Sequence, residues 1–207
     1  MIKERVIALS LYVTICTFGV LVNGYCFFKV VKLSEFKHFF GYICICQLLS
    51  NIVVLSMYLL WSCPALIFLD ESGDFELLNQ ILGKIGILAW NLTMYAHLAA
   101  AFNRFIAMFF PTKYKLIFDK KTIIFLVVLI WLLAFCHVIP YIFFGCQFRF
   151  YVKTLTWGFV FNKCTIILAT FDFYFVFSNV TISLFIDITI FIKLGLQAKK
   201  AGTFNVI

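Results

Sequence analysis

Residues 122–144 have the sequence TIIFLVVLIWLLAFCHVIPYIFF, which contains no aspartate, glutamate, lysine or arginine. A helix of this length measures about 35 Å and spans the roughly 30 Å hydrocarbon core of a bilayer. Because lipid offers no hydrogen-bond partner to the backbone, such a segment must satisfy its polar groups internally, as a helix does. This stretch predicts an all-α membrane protein.

Four further segments have the same character, so the chain is predicted to cross the membrane five times. The predicted spans are 6–31, 39–68, 81–110, 122–144 and 165–194. The chain of 207 residues is 64% hydrophobic and 13% charged. A water-soluble protein of this composition would expose much apolar surface as aggregation-prone patches. A transmembrane β-barrel would need alternating polar and apolar residues in segments of about ten. We therefore predict one transmembrane domain, residues 1–207, folded as a helical bundle.

Charge indicates the orientation of this bundle. The ends of spans one, three and five, with the loops that follow them, hold most of the 17 lysine and arginine residues, and such loops stay in the cytoplasm. We predict an N-terminus outside the cell, a C-terminus in the cytoplasm and an acidic outer segment at 70–76. The plasma membrane is the expected location, with ciliary membrane or retention in the endoplasmic reticulum as alternatives. The net charge of +8 indicates contact with anionic lipid and requires no nucleic acid partner.

The loop between spans four and five is bracketed by Cys146 and Cys164. Four large apolar residues in this loop alternate as in a half-buried strand: Leu155, Trp157, Phe159 and Phe161. An oxidising outer face permits a disulfide that closes a β-hairpin lid and contributes about 3 kcal/mol. Two free thiols are the alternative.

Polar side chains recur at helical spacing on two of the predicted spans. On span three, one stripe holds Gly86, Trp90, Thr93, His97, Ala101 and Arg104. On span five, one face holds Asp172, Asn179, Ser183 and Asp187. Such faces turn toward the bundle interior because lipid penalises polar groups. They predict a water-accessible cavity, although interhelical hydrogen bonds would equally explain His97 and, on span four, His137.

No enzymatic site emerges from the sequence. The chain has no cluster of His and Cys at metal-ligand spacing and no glycine-rich phosphate loop. We expect neither catalysis, nor a metal, nor a cofactor. A small-solute transporter that uses His97 or Asp172 is a weaker alternative, because the two halves of the chain show no inverted repeat of hydropathy.

Several motifs resemble the nematode serpentine receptor class x, a family of seven-helix chemosensory receptors with a rhodopsin-like layout. They are Asn23-Gly24, SNIVVLSMYLLWSCP at 50–64, FNRFIAMFFPTKYKLIF at 102–118, Trp131, and the cysteine and aromatic pattern of the fourth loop. The resemblance covers nearly the whole chain. It implies a rhodopsin-like bundle, a small environmental or pheromone-like ligand held beneath the hairpin, and a heterotrimeric G protein as partner. We expect Trp90, Thr93, His97 and Asn179 to line the ligand cavity.

The resemblance also assigns a role to the end of span three. In rhodopsin-like receptors an acidic residue, an arginine and an aromatic residue stand there, and the arginine engages the inner ends of other helices and the G protein. Asn103, Arg104 and Phe105 occupy these places, with Pro111 and Tyr114 in the inner loop that follows. Asparagine offers Arg104 only a neutral acceptor, so we expect a weaker inactive-state lock than an ion pair. The alternative is that Arg104 extends to lipid headgroups as a topology anchor.

Two features depart from the family pattern. Asn79 stands where most rhodopsin-like receptors carry the cysteine that tethers the outer loop, so we expect a Cys146–Cys164 bridge to act in its place. The sequence also ends after five of seven helices. It is therefore expected to be a receptor fragment, from a truncated gene model, a splice form or a decayed copy. A non-signalling protein that associates with full-length receptors is the competing hypothesis.

Overall fold

The structure, a computed structural model, describes residues 2–68 and 75–200, which contain five long helices and one β-hairpin. The elements are α1 (Ile2–Lys32), α2 (Phe39–Phe68), α3 (Glu76–Phe109), α4 (Lys120–Phe143), β1 (Phe148–Tyr151), β2 (Thr156–Phe159) and α5 (Lys163–Lys200). All five helices are long and apolar enough to cross a membrane. The predicted fold class, an all-α membrane bundle with a hairpin between its fourth and fifth helices, is confirmed.

Four of the five helices extend beyond the spans predicted from hydropathy at one end or both, and α2 has the predicted bounds. α3 begins at Glu76 rather than at residue 81, and α5 continues to Lys200 rather than to residue 194. Hydropathy marks only the segment within hydrocarbon, whereas a helix continues into the headgroup region wherever its polar residues find partners. Most of the predicted acidic outer segment, residues 70–74, lies outside the described residues.

α2 contains a wide helical turn near the hairpin. Residues Tyr58–Ser62 form a π-helical turn between the regular segments Phe39–Met57 and Cys63–Phe68. Pro64 explains this turn, because proline has no N–H to donate and its ring crowds the carbonyl four residues earlier. The wider turn accommodates the proline within a continuous helix.

The core is built around α3. Ala96 and Ala100 of α3 pack with Ile43 and Cys46 of α2 and with Ala134 of α4. Small side chains let helices approach closely, which matters in lipid because the hydrophobic effect does not drive helices together there. Many other large apolar side chains are exposed, on surfaces that lipid covers in a membrane.

The hairpin has the predicted position and a shorter second strand than predicted. β1 and β2 pair antiparallel, with Phe148 opposite Phe159 and Phe150 opposite Trp157. Leu155 lies in the connecting turn with φ of 57°, and Phe161 lies beyond the strand and is exposed. The predicted alternation therefore holds only for Trp157 and Phe159, because the turn and the approach to α5 interrupt the pleat on either side.

The predicted disulfide between Cys146 and Cys164 is present. It joins the segment before β1 to the first turn of α5. Cys146 is fully buried against Ile87, Val138 and Tyr141. The bridge therefore closes the base of the hairpin and attaches it to α5.

The hairpin is attached to α3 without a disulfide. The Asn79 side chain donates to the Phe150 carbonyl oxygen at 3.0 Å and accepts from the Phe150 N–H at 2.9 Å. It also accepts a hydrogen bond from Trp61 Nε1 at 3.1 Å. One side-chain amide thus pairs with the free edge of β1 as a neighbouring strand would.

Two further contacts bring α3 against β1. Arg149 Nη1 lies 2.8 Å from Glu76 Oε1. A side-chain hydrogen bond with Tyr151 and the contact with Glu76 raise the pKa of the Arg149 guanidinium. One turn beyond Asn79, Gly83 is so close to the strand that an added Cβ would lie 1.7 Å from the Phe148 carbonyl oxygen. Only glycine permits this approach of helix and strand backbones.

We predict that Gly83→Ala destabilises the protein, because the clash is with backbone and no side-chain rotation relieves it. Overpacking of this kind costs about 1–3 kcal/mol. A lower thermal midpoint of the purified protein in detergent is the expected result. Gly24→Ala is the matched control, since nothing lies within 4 Å of a Cβ at Gly24 and alanine favours a helix by about 1 kcal/mol. Equal losses in both variants would contradict the prediction.

We predict that Asn79→Ala releases the hairpin from α3. The change removes the Asn79 amide that bonds to the backbone N–H and C=O of Phe150 and to the indole N–H of Trp61. Each of these groups costs about 1–3 kcal/mol if it stays buried without a hydrogen-bond partner. Amide hydrogen exchange measured by mass spectrometry should be at least about tenfold faster at Phe150. Gln80→Ala provides the control, because the Gln80 amide bonds within its own helix to Glu76. Unchanged exchange in Asn79→Ala would refute the tether.

Candidate functional site

A cavity of about 540 Å³ lies between the hairpin and helices α2, α3 and α5. Its volume is in the range that holds small organic ligands. Its walls are mostly aromatic and aliphatic, with these lining residues: Val54, Met57, Tyr58, Gly86, Ile87, Trp90, Phe148, Trp157, Phe159, Ala169, Asp172, Phe173 and Val176. The hairpin covers the cavity through Phe148, Trp157 and Phe159.

Of the four side chains predicted to line a ligand cavity, Trp90 does so and the others lie elsewhere. His97 Nε2 is 2.8 Å from the Gln47 amide nitrogen of α2. Asn179 is buried deeper along α5 and donates to the Phe175 carbonyl oxygen of its own helix. Thr93 is partly buried and does not line the cavity. His97 thus takes the interhelical role that remained open for it, through its contact with α2.

Asp172 lines the cavity although it was not among the predicted cavity residues. It belongs to the polar face predicted for span five, and its distance from Trp90 in sequence gave no sign that the two share a site. Its Oδ1 is 3.4 Å from His137 Nδ1, and His137 Nε2 is 2.9 Å from the Tyr95 hydroxyl oxygen. The carboxylate and imidazole side chains are only 15% and 10% exposed. This network joins α3, α4 and α5 beside the cavity.

Arg104 lies at the opposite end of the bundle and binds Asp187 of α5. Its Nη2 is 2.9 Å from Oδ1 and 3.1 Å from Oδ2, and its Nε is 3.3 Å from Oδ1. Both side chains are nearly half exposed. The arginine therefore makes an ion pair with a neighbouring helix, whereas Asn103 had been expected to offer it a neutral acceptor.

Asn103 points in a different direction from Arg104. It is buried, and its Oδ1 accepts a hydrogen bond from the Tyr114 hydroxyl at 2.8 Å. Burial raises the pKa of the Tyr114 phenol, which keeps it protonated as the donor. Tyr114 begins a single helical turn, Tyr114–Ile117, in the connection to α4, and Pro111 is exposed at the start of that connection. Asn103 thus fixes the loop that begins at Pro111.

Two more groups hold this end of α5 against α3. Phe105 stacks on Phe109 at 4.5 Å between ring centroids and packs beside buried Ile186 and Ile190. Lys193 Nζ donates to the Met108 carbonyl oxygen at 2.7 Å and lies 4.0 Å from the centre of the Phe109 ring. A cation at the C-terminal end of α3 satisfies a carbonyl and complements the helix dipole.

Comparison with known proteins identifies the family. The family described as "Serpentine type 7TM GPCR chemoreceptor Srx" matches residues 13–205. "Serpentine receptor class X 45" from Caenorhabditis elegans is 24% identical over 164 residues, which cover 79% of this chain and 45% of that relative. The chain thus spans less than half the length of that curated relative. With a match over most of its residues and five apolar helices to cross a bilayer, the chain belongs to the Srx family of serpentine chemoreceptors, a family of membrane receptors and not of enzymes.

Proposed function

We propose that this chain binds a small environmental or pheromone-like ligand in the cavity beneath the hairpin and signals through a heterotrimeric G protein at the Arg104 end. In this proposal residues 1–207 form one transmembrane domain of the plasma membrane. The hairpin end faces outside and the Arg104 end faces the cytoplasm. Lys113, Lys115, Lys120 and Lys121 lie near the Arg104 end, as expected of a cytoplasmic face.

The observation that carries this proposal is that α5 belongs to both sites. Asp172 lines the cavity and Asp187 binds Arg104, and their separation of 15 residues in sequence corresponds to about 22 Å of continuous helix. A ligand that displaces α5 at the cavity would therefore move Asp187 relative to Arg104. Coupling between two sites needs an element that has two arrangements and whose equilibrium both sites shift. In this proposal that element is the Arg104–Asp187 ion pair, which is either formed or released.

The Arg104–Asp187 pair has the properties of a releasable contact. Its side chains are 45% and 43% exposed, and ion pairs of this exposure contribute about 0.2–1 kcal/mol. A ligand of ordinary affinity supplies more free energy than this. The pair would hold α5 at rest, and its release would free the guanidinium for the G protein.

The proposal predicts opposite effects for the two partners of this pair. With the chain in lipid nanodiscs, purified G protein heterotrimer should exchange nucleotide faster than with empty nanodiscs. Asp187→Asn should raise the basal rate of nucleotide exchange up to about fivefold, because it removes an ion pair that contributes up to about 1 kcal/mol to the resting state. Arg104→Ala should abolish the stimulated nucleotide exchange, because the guanidinium proposed to contact the G protein is lost. Glu35→Gln is the control, a carboxylate-to-amide change at an exposed inner-loop residue.

The same assay separates this proposal from association with full-length receptors. Exchange no faster than with empty nanodiscs would contradict signalling by this chain. If co-expression then depleted "Serpentine receptor class X 45" from the cell surface, association with full-length receptors would be favoured instead. Exchange that is equal in wild type and Arg104→Ala would exclude the role given to Arg104.

A further inference from the structure

The cavity contains one charged group in otherwise apolar surroundings. Among the described residues that line it, Asp172 is the only acidic or basic side chain. The other polar groups are the Tyr58 hydroxyl and two indole N–H groups, and that of Trp157 already donates to Ser62 Oγ at 3.0 Å. A carboxylate held in an apolar site is costly unless it is paired and hydrogen-bonded.

His137 satisfies only part of this carboxylate. When the Tyr95 hydroxyl donates to His137 Nε2, the imidazole proton lies on Nδ1 and points to Asp172 Oδ1. Each contact then has one donor and one acceptor. Asp172 Oδ2 receives no hydrogen bond from the described residues. One oxygen of this carboxyl group is therefore free of hydrogen bonds within the described residues.

Two arginine side chains that could carry a compensating charge are engaged elsewhere. Arg149 binds Glu76 across the helix–hairpin contact, and Arg104 binds Asp187 at the far end of α5. Within the described residues, His137 is the only ion-pair partner within 4.0 Å of Asp172. A cationic group placed at Oδ2 would give this carboxylate a second partner.

We propose that the cavity selects ligands with a basic nitrogen on an aromatic or aliphatic body. The ammonium group donates to Asp172 Oδ2, and the body packs between Trp90, Trp157 and Phe173. This inference rests on the proposed ligand site and names its ligand class. Aromatic faces around the carboxylate add to the preference, since they attract cations as well. A neutral ligand leaves Asp172 Oδ2 without a cationic partner, and an anionic ligand is repelled by the carboxylate.

Three probes of one shape and different charge test this selection: 4-phenylbutylamine, 4-phenylbutan-1-ol and 4-phenylbutanoate. Their affinities are measured by equilibrium dialysis against the chain in phosphatidylcholine nanodiscs, with empty nanodiscs subtracted. We expect the amine to bind at least about tenfold more tightly than the alcohol, and the carboxylate to bind more weakly than either. Asp172→Asn should remove this order while the affinity for the alcohol stays within about twofold. Asp172→Glu should retain the preference for the amine, and Glu35→Gln should behave as wild type.

These results also separate ligand selection from a structural role for Asp172. If Asp172 only held His137 in place, both substitutions would change affinity for all probes alike. Equal affinity for amine and alcohol in wild type would overturn the proposal, as would an amine preference that persists in Asp172→Asn. Binding of none of the probes would overturn it for ligands of this size. The basal nucleotide-exchange assay needs no ligand, so its outcome judges the signalling proposal independently.

Discussion

The close approach that small side chains permit along α3 is the constraint on which the rest of the structure depends. Gly83 meets the backbone of β1, and Ala96 and Ala100 meet α2 and α4. Ala101, on another face, packs against Ile186 of α5. In lipid, helices associate through packing and polar contacts, so the smallest side chains mark the surfaces where they meet. α3 thus holds three helices and the hairpin, and the cavity forms beneath the hairpin where these elements diverge.

The hairpin lid is held by two different kinds of contact. A disulfide attaches it to α5, and the Asn79 amide attaches the free edge of β1 to α3. Asn79 occupies the position where the family resemblance implies a cysteine, so hydrogen bonds take the place of a covalent tether there. An amide that forms three hydrogen bonds specifies the position of a strand closely, because the backbone of buried Phe150 would be costly to leave unsatisfied.

The α5 helix connects the two candidate sites because its carboxylates have different surroundings. Asp172 is mostly buried beside His137, in an apolar cavity with a free oxygen. Asp187 is nearly half exposed and makes a two-oxygen contact with Arg104. The first environment favours recognition of an opposite charge, and the second favours a weak contact that exchanges readily with another partner. Residues of the same type on one helix therefore suit different tasks.

The sequence by itself determined the five membrane helices, the charge difference between their ends, the cysteine pair of the hairpin and the position of Arg104 at the end of α3. These properties depend on local composition and on the bilayer as solvent, both of which hydropathy and periodicity report. Only the tertiary structure decided that Asp187, 83 residues away in sequence, is the partner of Arg104. It also placed Asp172 in the cavity and turned His97 toward α2. These outcomes depend on how helices far apart in the chain cross and face one another, which no local pattern encodes.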